Sequence, residues 1–243
     1  MGLILNGNAP SKMLYNGAEV SLYFNGSKIW PEGDPYNPLN LPPNTVRVRT
    51  RNGNPPNKGT TTSYDTATLV PGTTDIYDVY KSGTSFRSML ADASNVIEVL
   101  GANTNGITNM DYMFYYCNRL ASVSLFDTSS VTSMERMFLN CSSLISVPLF
   151  DTSNVTTTYY MFGACSSLTS VPLFNTSKVT QMDYMFNECF KVESGALALY
   201  QQASTQANPP TSHYNTFWYC GRNTTQGAAE LAQIPTSWGG TMS

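Results

Sequence analysis

A Met-Phe pair returns every 24 residues through the middle of this 243-residue chain, and a period of that length admits few architectures. Met113-Phe114, Met137-Phe138, Met161-Phe162 and Met185-Phe186 keep the step without insertion. Cys117, Cys141, Cys165 and Cys189 keep it too, as do Leu120, Leu144 and Leu168, then Val123, Val147 and Val171. Leu125, Leu149 and Leu173, each followed by phenylalanine, complete the unit. Met89, Val96, Val99 and Ile107 extend the pattern upstream in degenerate form, so the array starts near Phe86. A unit this short cannot bury its own apolar face, but stacked neighbours can.

Within one unit the apolar spacing changes period. Val131, Met134, Met137, Phe138 and Cys141 follow steps of three and four, which predicts a helical face. Leu144 to Leu149 instead predicts a short strand with Val147 and Leu149 pointing the same way, made irregular by Pro148 and, one unit on, Pro172. Asp127-Thr128-Ser129, Asp151-Thr152-Ser153 and Asn175-Thr176-Ser177 suit Asx turns that cap the following helix. The fold class these features predict is α/β: a leucine-rich-repeat-like solenoid of 24-residue coils behind a small β-rich N-terminal module.

The pattern Met-Phe-x-x-Cys-x-x-Leu-x-x-Val-x-Leu-Phe-Asp-Thr-Ser resembles the BspA-type leucine-rich repeats of bacterial surface proteins, over about Phe86 to Val192. The resemblance implies a non-enzymatic adhesin or surface component, and similar arrays are carried on virion proteins of phages and prophages of gut bacteria. Met1-Gly2-Leu3-Ile4-Leu5-Asn6-Gly7 has no positive n-region and no apolar run long enough for a signal peptide or a membrane span. With no lipoprotein cysteine either, since Cys117 is the first, the expectation leans to the virion (head fibre, decoration or tail-associated) over a bacterial cell-surface adhesin.

The flanks carry their own signals. Leu5-Asn6-Gly7, Tyr15-Asn16-Gly17 and Phe24-Asn25-Gly26 set Asn-Gly pairs between apolar runs, the signature of type I′ hairpins, and predict a β meander over 1–30. That module is either an anchor to other virion proteins or a cap on the array. Its edge strands would also permit a homo-oligomer. Residues 31–43 are a proline-dense, stiff linker. Residues 44–85 predict a β-rich cap, with strands at 45–50, 66–70 and 76–80 and with Arg47 and Arg49 on the wet face. The coils run over 86–193. The stretch 194–243 then opens with a helix at 196–203, resumes the Phe-x-x-Cys spacing at Phe217 and Cys220, and ends in a cap.

Only 12% of residues are charged and the net charge is -3, with no basic cluster, so nucleic acid is not an expected partner and no membrane insertion is expected. No catalytic, metal or cofactor-binding constellation is visible. His213 with Cys220 lacks a third, orienting group, and Asp127 with Asp151, adjacent on successive coils, is read as turn capping rather than a calcium site, because Asn175 breaks the acidic series and capping explains all three positions. The four in-phase cysteines would point the same way into the core, which favours buried thiols over disulfides. What varies at fixed phase faces solvent. One such column reads Tyr112, Arg136, Tyr160 and Tyr184, with Tyr115, Tyr116 and Tyr159 beside it. Tyrosine and arginine are favoured at interfaces, so this stripe is the candidate site for a host-surface protein or glycan; half-buried packing over the methionines would place the same residues there.

Overall fold

The computed structural model describes residues 41–241 and, before them, the backbone of four short strands. Those strands pair antiparallel in two separate sheets, β1 (Leu14–Tyr15) with β2 (Ala18–Glu19) and β3 (Leu22–Phe24) with β4 (Ser27–Ile29). Tyr15 faces Ala18 and Phe24 faces Ser27, so each pair is joined by two residues, an Asn-Gly. The first Asn-Gly pair, at 6–7, and residues 31–40 of the linker lie outside the described residues.

Alternating β-branched residues build a five-stranded sheet in the order β6-β7-β5-β8-β9. Its strands are β5 (Thr45–Thr50), β6 (Thr66–Leu69), β7 (Ile76–Tyr80), β8 (Val96–Asn103) and β9 (Ser122–Val123). All pairs are antiparallel except β8 with β9. On central β5, flanked by β7 and β8, Arg47 is buried, contrary to the wet-face expectation, because its guanidinium lies along the neighbouring strand rather than out in water. It pairs in a fork with Asp78 directly opposite on β7, Nε to Oδ1 at 2.6 Å and Nη2 to Oδ2 at 2.8 Å. Arg49 lies between Asp75 and Glu98.

The 24-residue units overturn the expected α/β leucine-rich-repeat-like solenoid with a helix on one side and a strand on the other. Among the described residues, the extended structure is this sheet with the β1-β2 and β3-β4 pairs, and α-helix is confined to α1 (Ala196–Thr205) and α2 (Thr225–Leu231), beyond the Met-Phe units. A helix cannot form where one was expected because two residues per unit are left-handed. Tyr112 and Tyr116 have φ of 57° and 57°, Arg136 and Asn140 of 53° and 64°, Tyr160 and Ala164 of 52° and 56°. Each left-handed residue breaks the right-handed i to i−4 ladder. The chain instead makes successive three-residue turns: Met113 N donates to Met110 O, Tyr115 N to Tyr112 O, and Cys117 N to Phe114 O. Such turns mimic helical spacing in sequence. The Asx turns form, Asp127 and Asp151 Oδ1 each accepting from the N–H two residues on at 2.9 Å, but no helix follows for them to cap.

The strand expectation over 144–149 fails for a different reason. At β9 the N–H of Ser124 donates to Val99 O, whereas the equivalent positions in the next two units are Pro148 and Pro172, which have no N–H to give. The sheet accordingly stops at β9. Released from a strand, Val147 and Leu149 do not share a face: Val147 packs half-buried on the core, while Leu149 is 60% exposed.

What stacks the units is the N–H groups freed by the turns. Tyr112, Phe114 and Tyr116 donate to Glu135, Met137 and Leu139 O of the next unit, and Arg136, Phe138 and Asn140 repeat this onto Tyr159, Met161 and Gly163. Isolated parallel bridges Ser85–Asn109–Ser133–Thr157–Gln181–Ser212 follow the same axis. Phe114, Phe138, Phe162, Phe186 and Phe217 stack near-parallel behind them, with centroids 5.2–6.0 Å apart. The 31-residue step from Phe186 to Phe217 holds α1, whose N-terminal N–H groups at Gly195 and Leu197 are accepted by Glu230 of α2.

All five cysteines are buried and free. The Sγ of Cys117, Cys141, Cys165 and Cys189 donates to the carbonyls of Leu90, Phe114, Phe138 and Phe162 at 3.1–3.2 Å. Burial pushes every one of these thiols well above the ordinary range, Cys220 included, which suppresses the reactive thiolate. Iodoacetamide should therefore leave the folded chain unmodified at pH 8 and add five groups after denaturation without reductant, as counted by intact mass.

Candidate functional site

The left-handed backbone that removes the helix also builds the surface of the candidate stripe. Ser88, Tyr112, Arg136, Tyr160, Tyr184 and Asn215 form one column of left-handed residues, with φ between 52° and 57°. Asp92, Tyr116, Asn140, Ala164, Glu188 and Tyr219 form a second, four residues further along each unit. Every unit thus repeats the same bend at the same height, and the variable side chains come into register.

The structure brings all seven predicted residues together. Tyr160 and Tyr184 stack at 4.4 Å with planes 10° apart, and Tyr159 meets Tyr160 and Tyr184 edge-on at 4.9 and 6.4 Å. Arg136 lies over Tyr112, Tyr159 and Tyr160, its guanidinium carbon 5.2, 4.6 and 5.8 Å from their centroids. Its Nη1 also donates to the Tyr112 hydroxyl and to Glu135, so the guanidinium is held as a bridge between two aromatic groups. Tyr115 sits edge-on to both Tyr112 and Tyr116, at 5.5 and 4.5 Å. Tyr116 is the most open of the seven at 45% exposure, and the others are half-buried. The stripe is at once packed and presented: its rings and guanidinium cover one another in part, and each of the seven keeps part of its surface open to solvent.

Sequence reasoning missed both ends. Arg87 lies over Tyr112 at 4.7 Å and reaches Asp111, while Tyr214, Trp218 and Tyr219 continue the stripe past Tyr184, Tyr214 meeting it edge-on at 5.5 Å. Arg222 closes it, 4.2 Å over Tyr219. The inserted α1 hides the second group from a search at fixed period. With Asn215 aligned to Tyr184, the 31-residue step reveals it.

Burial, and after it the neighbouring tyrosines, raises the hydroxyls of Tyr115, Tyr160 and Tyr184 above the usual phenol range. They stay protonated donors at any physiological pH. Gly163 sets the place of the central ring. A Cβ there would stand 2.7 Å from Tyr160 Cδ1 and 2.9 Å from Leu139 Cδ1. Gly163→Val should push Tyr160 off Tyr184 and cost about 1–3 kcal/mol of stability by overpacking, read from urea unfolding.

Other candidates resolve into packing. His213 stacks on Trp238 at 4.1 Å and 5°, fastening the C-terminal segment. Among the described residues, no group of three or more His, Cys, Asp or Glu side chains is placed to hold a metal ion. No described helix is long and apolar enough to cross a membrane.

No curated protein and no solved structure matches the chain. Residues 83–198, which hold the first five stacked units and all seven stripe residues, match the family described as "Mycoplasma protein of unknown function, DUF285", a family associated with BspA-like repeat surface proteins.

Proposed function

We propose that this chain is a non-enzymatic binding protein whose stacked units display the tyrosine–arginine stripe to a host-surface protein or glycan. The observation that carries the reading is the register of that stripe: six units place aromatic and guanidinium groups in one line from Arg87 to Arg222. Rings already stacked on one another lose little side-chain freedom when a partner arrives, and tyrosine supplies broad contact area with a polar tip.

The carrier we propose is a phage virion, joined through residues 1–30. Two-stranded sheets such as β1-β2 and β3-β4 retain edges that can pair with other chains. A second reading, a bacterial cell-surface adhesin, is favoured by the match of 83–198 to a family associated with surface proteins. Quantitative mass spectrometry of purified virions and of bacterial envelopes, for the full chain and for a chain lacking residues 1–32, separates the two. The virion reading expects the full chain at fixed stoichiometry in particles and the shortened chain absent from them. Recovery only in the envelope fraction contradicts it.

A further inference from the structure

On the edge opposite in chain order from the Met-Phe turns, four large apolar side chains stand out of the core. Leu125, Leu149 and Leu173 are 40%, 60% and 52% exposed, and Ile145 is 53% exposed. The three leucines share one phase, so they recur once per unit along the stack. Phe126 and Phe150, the residues after the first two, have centroids 5.1 Å apart. Together the four expose apolar area on the order of 400 Å², comparable to the roughly 300–600 Å² of the largest patch on a monomer, which is often functional. The ridge has defined ends. The same phase one unit upstream is Gly101, which has no side chain, and one unit downstream is Leu197, which α1 packs against the core.

We infer that this leucine ridge is the interface of a parallel homodimer. Its repeat is the property that selects the occupant, because a second copy presents leucines at the identical spacing. Each ridge can then meet its counterpart leucine to leucine along three units. Size agrees: an apolar strip rimmed by Ser122, Ser146, Ser170, Pro148 and Pro172, buried on both copies, reaches the roughly 1,000 Å² that a specific interface needs. Charge fixes the direction. Asp127 and Asp151 are exposed along one flank, two residues past the leucines, while serines and Ile145 precede them on the other. A two-fold axis running along the stack sets the acidic flank of each copy against the serine flank of its partner. An axis across the stack would set the two acidic flanks together, a repulsive arrangement. In the parallel dimer both tyrosine stripes run the same way, and capture becomes bivalent.

Sedimentation of the full chain across concentration should show a reversible dimer, and Leu149→Asp should weaken it by about 100-fold or more by burying a charge at its centre. At concentrations low enough for the parent to be monomeric, the melting temperature of this variant should stay near that of the parent, since Leu149 is exposed in the monomer. Single cysteines report direction, because the native thiols are buried. Leu125→Cys and Leu173→Cys should each cross-link to themselves under mild oxidation, whereas an antiparallel pair would join Leu125→Cys only to Leu173→Cys; Leu149→Cys, at the centre of the ridge, links to itself either way. A monomer at all concentrations, a dimer indifferent to Leu149→Asp, or the antiparallel cross-link pattern overturns the inference. None of these outcomes bears on capture by the tyrosine stripe, which a monomer can perform.

Discussion

Met137→Lys is expected to unfold the array, whereas Glu135→Lys, two residues away, is expected to leave it standing. Met137 is fully buried in the shared core, and its carbonyl accepts the N–H of Phe114 from the preceding unit. Losing a buried methionine's packing alone costs about 2–5 kcal/mol. An ammonium forced into that site has no carboxylate to meet and costs several kcal/mol more, against a total stability on the order of 5–15 kcal/mol. Because each unit contacts only its neighbours, the damage spreads to the units on both sides. Glu135 is half-buried and holds Arg136 and the Tyr112 hydroxyl, so Glu135→Lys removes a surface pair worth about 1 kcal/mol or less. Urea unfolding followed by tryptophan fluorescence and circular dichroism reads both variants. Equal losses would mean that the burial pattern along the unit is misassigned.

The same contrast shows what could be read from residues alone. Strands β5, β6 and β7 are legible because β-branched residues alternate with polar ones, and α1 because a run of helix formers follows Gly195. The in-phase core is legible too: Met113, Phe114, Cys117 and Leu120 and their repeats are buried. The backbone joining them is not. Tyrosine, arginine and alanine carry no preference for left-handed φ, so nothing at Tyr112, Arg136 or Ala164 marks the bends that replace a helix. Arg47 shows a second limit. Alternation shows which residues share a face but not whether a side chain on it lies along the neighbouring strand, and Asp78, which makes its burial tolerable, lies 31 residues away. Leu149 shows a third, since its apolar character indicates burial in a sheet that Pro148 prevents from forming. The stripe was legible as a column of varying residues at fixed phase. Its ends were not, because an inserted helix shifts one out of the 24-residue step, and Arg87, though in phase with Tyr159, sits in the degenerate first unit.

Replacing Tyr112, Tyr160 and Tyr184 together by serine should weaken capture of the bacterial surface by about 100-fold or more, each aromatic anchor at an interface centre contributing about 2 kcal/mol or more. The fold should persist. Ser88 already occupies this column at φ 54°, close to the 52–57° of the three tyrosines, so serine fits the backbone these positions impose. Removing the Tyr160–Tyr184 stack costs stability on the order of 0.5–1.5 kcal/mol, too little to unfold the units. Arg136 would lose the rings it bridges and swing toward water, leaving its charge available while its orientation is lost. Binding isotherms of labelled chain on whole bacterial cells, beside thermal melts of the same preparations, separate loss of contact from loss of fold.

The claim that the stripe is the binding surface is tested most directly by oxidative footprinting of tyrosine on the chain, free and bound to whole bacterial cells. Tyr116 and Tyr214, exposed on the stripe, and Tyr80, exposed on β7, serve as reporters within one molecule. Bound chain should lose labelling at Tyr116, Tyr214 and the half-buried Tyr112, Tyr159, Tyr160 and Tyr184, while Tyr80 stays as reactive as in the free chain. Protection of Tyr80 with the stripe still labelled would contradict the account.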